Sequence, residues 1–229
     1  MNNKLILQLE TATTMCSVAL ALDGKVLALK ELNERNVHAS QITLFIDEVM
    51  KSAGKSYQDL DAVSVSKGPG SYTGLRIGVS TAKGLCFGLD VPLISVDTLE
   101  AMAFGLLKAY PEIDSSSLLC PMIDARRMEV YTAIFDTGLN PLETVSAKVL
   151  DEQSFIKHLD EQQVVFFGDG AAKCTALYSH HPNFKFVEFE NSAAHMSLIS
   201  LTKLQDGQTE NMAYFEPFYL KDFIAGGTN

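Results

Sequence analysis

Apolar and polar positions follow two rhythms along this chain. Near the amino terminus short apolar runs predict strands. Residues 5–10 read as a buried strand, and 16–22 and 25–32 as two more, joined at Asp23-Gly24, a favoured hairpin turn. A helical period then follows. Ile42, Phe45, Ile46 and Val49 fall at i, i+3, i+4 and i+7 and predict a helix over 40–53, with Ser40 as N-cap and Gly54 as terminator. A strand at 61–66, a helix from about 73 to 89, a short strand at 91–96 and a helix over 98–109 complete the first half.

The second half opens as the first does. An apolar strand over 117–124 ends in a carboxylate, Asp124, as the first strand ends in Glu10. Arg126-Arg127 makes the turn and 129–136 the return strand. The parallel predicts an internal duplication. A helix near 151–159, a strand at 163–167, the loop Gly168-Asp169-Gly170 and helices over 171–180 and 193–205 follow. The aromatic-rich tail at 216–221 is expected to dock. No linker or low-complexity segment separates the halves. The expectation is an α/β protein of two related lobes, 1–109 and 110–229.

Composition narrows the partners. The chain has 229 residues, of which 47% are hydrophobic, enough for a real core. Its net charge of −10 lacks the basic footprint of a nucleic-acid binder, so RNA phosphates would be met through a partner. Cys16, Cys86, Cys120 and Cys174 lie far apart in apolar settings, which predicts reduced, buried thiols and a cytoplasmic protein. No run reaches the ~18–20 apolar residues of a membrane span, and no signal-peptide pattern is expected at the start.

The stretch Lys67-Gly68-Pro69-Gly70-Ser71-Tyr72-Thr73-Gly74-Leu75-Arg76-Ile77-Gly78 carries the most information. It joins a strand to a helix, where glycines allow close approach of a backbone or a phosphate. It lacks the Gly-Lys-Ser/Thr of a phosphate-binding P-loop and the flanking glycines of a nucleophile elbow around Ser71. A structural turn and a phosphate cradle both remain open on pattern alone. Gly74, Gly78 and Ala82 recur every four residues, as do Gly84 and Gly88. Glycine inside a helix costs about 1 kcal/mol against alanine, so the stripe predicts close packing, on the sheet or on another subunit. Glu10 and Asp124, each at a strand end, are candidates to face one another across a cleft and hold hydrated magnesium; acids also stand there simply because the chain turns into solvent. No His pair has metal-ligand spacing.

KGPGSYTGLRIG, with LETATTMCSVAL before it and MIDARRMEVY after it, resembles the TsaB (YeaZ) family, and the likeness runs from residue 5 to the Pro217-Phe218-Tyr219-Leu220-Lys221 tail. The resemblance implies the two-lobed fold of actin, sugar kinases and heat-shock ATPases. It implies a non-catalytic role in forming N6-threonylcarbamoyladenosine in tRNA, beside a transferase paralogue, TsaD, and an ATPase, TsaE. Thr98 and Met102 would then stand where the paralogue has its metal-binding histidines. Glu10 departs from the aspartate usual in these families. Implied remnants of nucleotide binding are Glu10, Gly68, Gly70, Asp124, Gly168 and Gly170. No cofactor is expected to be required, with ATP or ADP and magnesium left open at a subunit boundary. The expected interface, for the paralogue or for a second copy in its absence, is Ile42, Phe45, Gly74, Gly78 and Ala82. The competing reading is a nucleotide-dependent phosphotransferase or hydrolase.

Overall fold

The computed structural model describes residues 3–155 and 162–221. The first sheet is built from β1 (Leu5–Glu10), β2 (Met15–Leu22), β3 (Lys25–Asn33), β4 (Ala62–Gly68) and β5 (Leu93–Asp97). The second is built from β6 (Leu118–Asp124), β7 (Glu129–Phe135), β8 (Pro141–Val149), β9 (Val164–Phe167) and β10 (Phe184–Val187). Their orders are β3-β2-β1-β4-β5 and β10-β9-β6-β7-β8. Read from its other edge, the second repeats the first: an antiparallel meander of three strands, then two strands parallel to its opening one. The duplication expected from the two strand-to-carboxylate openings is therefore present in the hydrogen-bond ladders.

Alternation sets the faces of β1. Leu5, Leu7 and Leu9 meet α1 (His38–Ser52) and α2 (Tyr72–Leu89) through Ile42, Phe45, Ile46, Val79 and Ala82. Ile6 lies on the opposite face in a cluster with Ile94, Val96, Ala101, Ala193 and Met196. Helix α3 (Thr98–Ala109) lies against the second sheet, packing Leu99, Met102 and Leu106 with Leu119, Ile123 and Phe167. Beyond that sheet, Phe166 stacks on Tyr178 of α4 (Ala172–Tyr178), and Phe155 meets both rings edge-on. A 3-10 turn, Ala193–Met196, and α5 (Ser197–Gln205) return to the first sheet.

Several boundaries move from their expected places. Helix α1 starts at His38, and Ser40 does not cap it; the Ser40 hydroxyl donates to the Val37 carbonyl at 2.9 Å. The expected helix 193–205 is split, with Ser192 capping the 3-10 turn through its hydroxyl. Strands β8 and β10 were not anticipated. β8 is a half-exposed edge strand of mixed polarity and β10 has four residues, so neither carries a clear alternation. Of the helix expected near 151–159, residues 152–155 form a turn and the remainder lies outside the described residues.

Candidate functional site: the glycine loop, the strand-end acids and the exposed helix faces

The glycine loop leaves β4 and enters α2. Ser71 is the N-cap, accepting from the Gly74 amide at 3.2 Å, so its hydroxyl serves the helix. The small residues of α2 face inward. A Cβ at Gly70 would run into the Ala12 backbone, at Gly74 into the Thr11 carbonyl and at Gly78 into the Thr11 hydroxyl. The loop is thus closed against the β1–β2 turn. On its outer side the tail crosses it: the Phe218 amide donates to the Lys67 carbonyl at 2.7 Å, and the Phe218 carbonyl lies 2.6 Å from where a Gly68 Cβ would stand. Gly68 has φ +116, which a side chain would strain.

This placement corrects the expected interface. Ile42, Phe45, Gly74, Gly78 and Ala82 are all buried within the chain, in or beside its first core, and reach no surface. The stripe of small residues closes α2 onto its own sheet and turn. Gly84 and Gly88 behave otherwise: nothing lies within 4 Å of a Cβ at either. Phe87, between them, is 82% exposed, and Leu44 on α1 is 53% exposed. Those residues form the outward side of the two helices. Their signal in the sequence was an apolar residue off the periodic face.

The two strand-end acids differ. Glu10 is fully buried, and its Oε1 accepts from the Ala12 amide at 2.6 Å and the Ser66 hydroxyl at 2.9 Å. Burial pushes its carboxyl up to about 7, against the smaller opposing effects of the Ala12 amide and of the Ser66 and Asn191 side chains. Its Oε2 makes no hydrogen bond among the described residues, nor do buried Gln8 and the hydroxyls of Thr11 and Thr98. Asp124 is exposed. Its Oδ1 accepts from the Arg126 amide at 2.6 Å and pairs with Lys173 at 2.9 Å. The Asp124 amide donates to Asp169, whose carboxyl burial raises above its usual range.

The loop Gly168-Asp169-Gly170 is also filled from within. A Gly168 Cβ would meet the Met122 carbonyl and, at 2.5 Å, the Met102 methyl, and one at Gly170 would crowd β6. Thr98 and Met102 are both buried, with Thr98 the first residue of α3. A thioether and a hydroxyl in a packed interior offer no imidazole nitrogen to a metal. Among the described residues, no group of three or more His, Cys, Asp or Glu is placed to hold a metal ion. As arranged, Glu10 serves its own turn, Asp124 is tied to Lys173, and both glycine loops are occupied by the chain.

The tail completes the surface. The Tyr219 ring lies 4.8 Å from that of Tyr72, and its hydroxyl accepts from Arg76 Nε at 3.2 Å. Lys83 Nζ donates to the Phe215 carbonyl at 3.1 Å, and Lys221 reaches Glu129 of the second lobe at 2.5 Å. The four cysteines are free and buried. Among the described residues no helix is long and apolar enough to cross a membrane.

Comparison with known proteins places this geometry. The family model for TsaD, tRNA N6-adenosine threonylcarbamoyltransferase, matches residues 26–225. The tRNA threonylcarbamoyladenosine biosynthesis protein TsaB of Haemophilus influenzae is 30% identical over 233 residues, covering 98% of this chain and 96% of its own. The solved structure of YeaZ from Pseudomonas aeruginosa superposes with a TM-score of 0.77 at 24% identity, covering 95% of this chain and all of that one. An activator of 2-hydroxyisocaproyl-CoA dehydratase from Clostridium difficile, solved with bound ADPNP, shares the fold at a TM-score of 0.52 and 10% identity, covering 89% of this chain and 97% of its own.

Proposed function

The chain belongs to the TsaB family of tRNA threonylcarbamoyladenosine biosynthesis proteins, and on that premise we propose that it works through the outward side of α1 and α2. It is the non-catalytic partner in forming N6-threonylcarbamoyladenosine in tRNA, supporting a TsaD-family transferase. The observation that carries the interface is Phe87, 82% exposed and flanked by two glycines with open space beside them. An aromatic side chain on a surface that lets another backbone come close is the arrangement of a buried interface anchor. Leu44 on the adjoining helix extends the apolar area.

In this reading the same face pairs two copies of the chain when the transferase is absent. A TsaE-type ATPase joins the assembly, and tRNA is contacted only through the complex, in keeping with the net charge of −10. The protein acts in the cytoplasm. In this reading it needs no nucleotide of its own, with Asp124 tied to Lys173 and both glycine loops packed against the chain.

Sedimentation velocity with and without the transferase tests the interface. Phe87→Glu should weaken both associations by at least ~30-fold, the loss of one interface anchor worth about 2 kcal/mol. Unchanged association in both would sink it. Titration calorimetry of the isolated chain with magnesium–ATP should give no saturable heat.

A further inference from the structure

The cavity between α2 and the tail, about 340 Å³, opens on the same side of α2 as Phe87, which follows Lys83 by one turn, and the inference drawn from it rests on the reading of that side as a partner surface. One wall is a single face of α2. Arg76, Ser80 and Lys83 stand at i, i+4 and i+7 and so point the same way. The tail makes the opposite wall, with Glu216, Pro217 and Tyr219.

Its two cations are held in place. The Arg76 guanidinium lies 4.2 Å from the centre of the Tyr72 ring, and its Nε donates to Tyr219. Its Nη groups make no hydrogen bond among the described residues, which leaves the planar fork available for a carboxylate. Lys83 spends one donor on the Phe215 carbonyl and has two more. Both cations therefore have unused donors and little orientation left to lose. This stands out on a protein of net charge −10.

Glu216 on the other wall decides the class of ligand. Its carboxylate repels a small free anion such as phosphate, whose charge sits on the whole ion with at most a P–O–H or two to set against it. A peptide carries acceptors and donors together. We propose that this cavity is a docking site for an acidic peptide segment of a partner protein. A Glu or Asp side chain of that segment binds between Arg76 and Lys83, and its backbone N–H groups face Glu216. Pro217 and Val79 supply apolar walls for the flanking residues. The inference concerns this chain's own pocket and holds whichever protein supplies the segment.

The test is an NMR titration of the full chain at constant ionic strength with three probes. They are the blocked peptide Ac-Gly-Glu-Glu-Gly-NH2, its Gln counterpart Ac-Gly-Gln-Gln-Gly-NH2, and sodium phosphate. The Glu peptide should shift the amides of residues 76–83 and 215–219 saturably, with about tenfold tighter binding than the Gln peptide, the loss of one charge-assisted contact. In the double variant Arg76→Gln, Lys83→Met that preference should vanish, while the remaining resonances show the fold intact. Equal binding of the two peptides would overturn the proposal. So would Glu-peptide shifts that survive the double variant, or saturation by phosphate with none by the Glu peptide.

Discussion

Glu10 and His195 carry opposite pH dependences. The Glu10 carboxyl rises to about 7 through burial. The stabilisation of its protonated form is fully present below an unfolded value near 4.5 and is lost as pH rises through 7. His195 is driven down to about 4 by burial, its ring stacked on Phe189 and set against Gly105. Its neutral form contributes stability above about 6.5 that is lost as pH falls through 4. Between pH 4.5 and 6.5 the two slopes oppose, so the wild-type protein should show a nearly flat stability there. Glu10→Gln should leave the His195 slope exposed, stability rising with pH across that window in urea melts. A flat profile in the variant would show that one of the two groups is not held as described. Neither behaviour was legible in the sequence. Glu10 read as a metal-facing strand end, because the groups around its carboxyl, Ser66 and Asn191, come from distant parts of the chain.

At the scale of the element, α2 shows what periodicity can and cannot say. Its length and glycine spacing were readable, but not which glycines face in. A spacing of four residues is the same whether the neighbour is the chain's own turn or another molecule. The deciding fact is the Thr11–Ala12 turn, sixty-odd residues earlier, which fills the groove above Gly74 and Gly78. Substitution separates the two sets. Gly78→Ala should destabilise by about 1–3 kcal/mol, because the new methyl meets the Thr11 side chain in a packed core. Gly84→Ala should stabilise the isolated chain by up to about 1 kcal/mol, since its Cβ has open space and alanine suits a helix better. Thermal melts of both compare them directly. Equal effects would mean that the two glycines share one environment. Strand existence followed the same logic. β1, β2 and β6 are continuous apolar runs and β7 alternates, and all four were found, whereas β8 and β10 take their structure from pairing with a neighbour.

For the whole molecule, the duplicated strand-turn-strand opening was enough to expect two related lobes. Identical sheet orders, read from opposite edges, carry that through. The path of the carboxyl-terminal third was not legible. After β10 the chain crosses back, packs its 3-10 turn on the first sheet, and lays its tail over the glycine loop before Lys221 pairs with Glu129. These are long-range contacts that no local pattern encodes. Together they close the glycine loop and bury Glu10, while Asp124 stays exposed and paired with Lys173. The outer side of α1 and α2, with the cavity beside the tail, stays open to a partner.

The most direct measurement is therefore reconstituted tRNA threonylcarbamoylation with the transferase-type paralogue and its accompanying factors, with this chain as the variable. Modification should depend on adding the chain, persist with Asp124→Asn, and fall by at least ~30-fold with Phe87→Glu at subsaturating concentration. Full modification without the chain, or activity abolished by Asp124→Asn and untouched by Phe87→Glu, would contradict a scaffold that acts through its helical face.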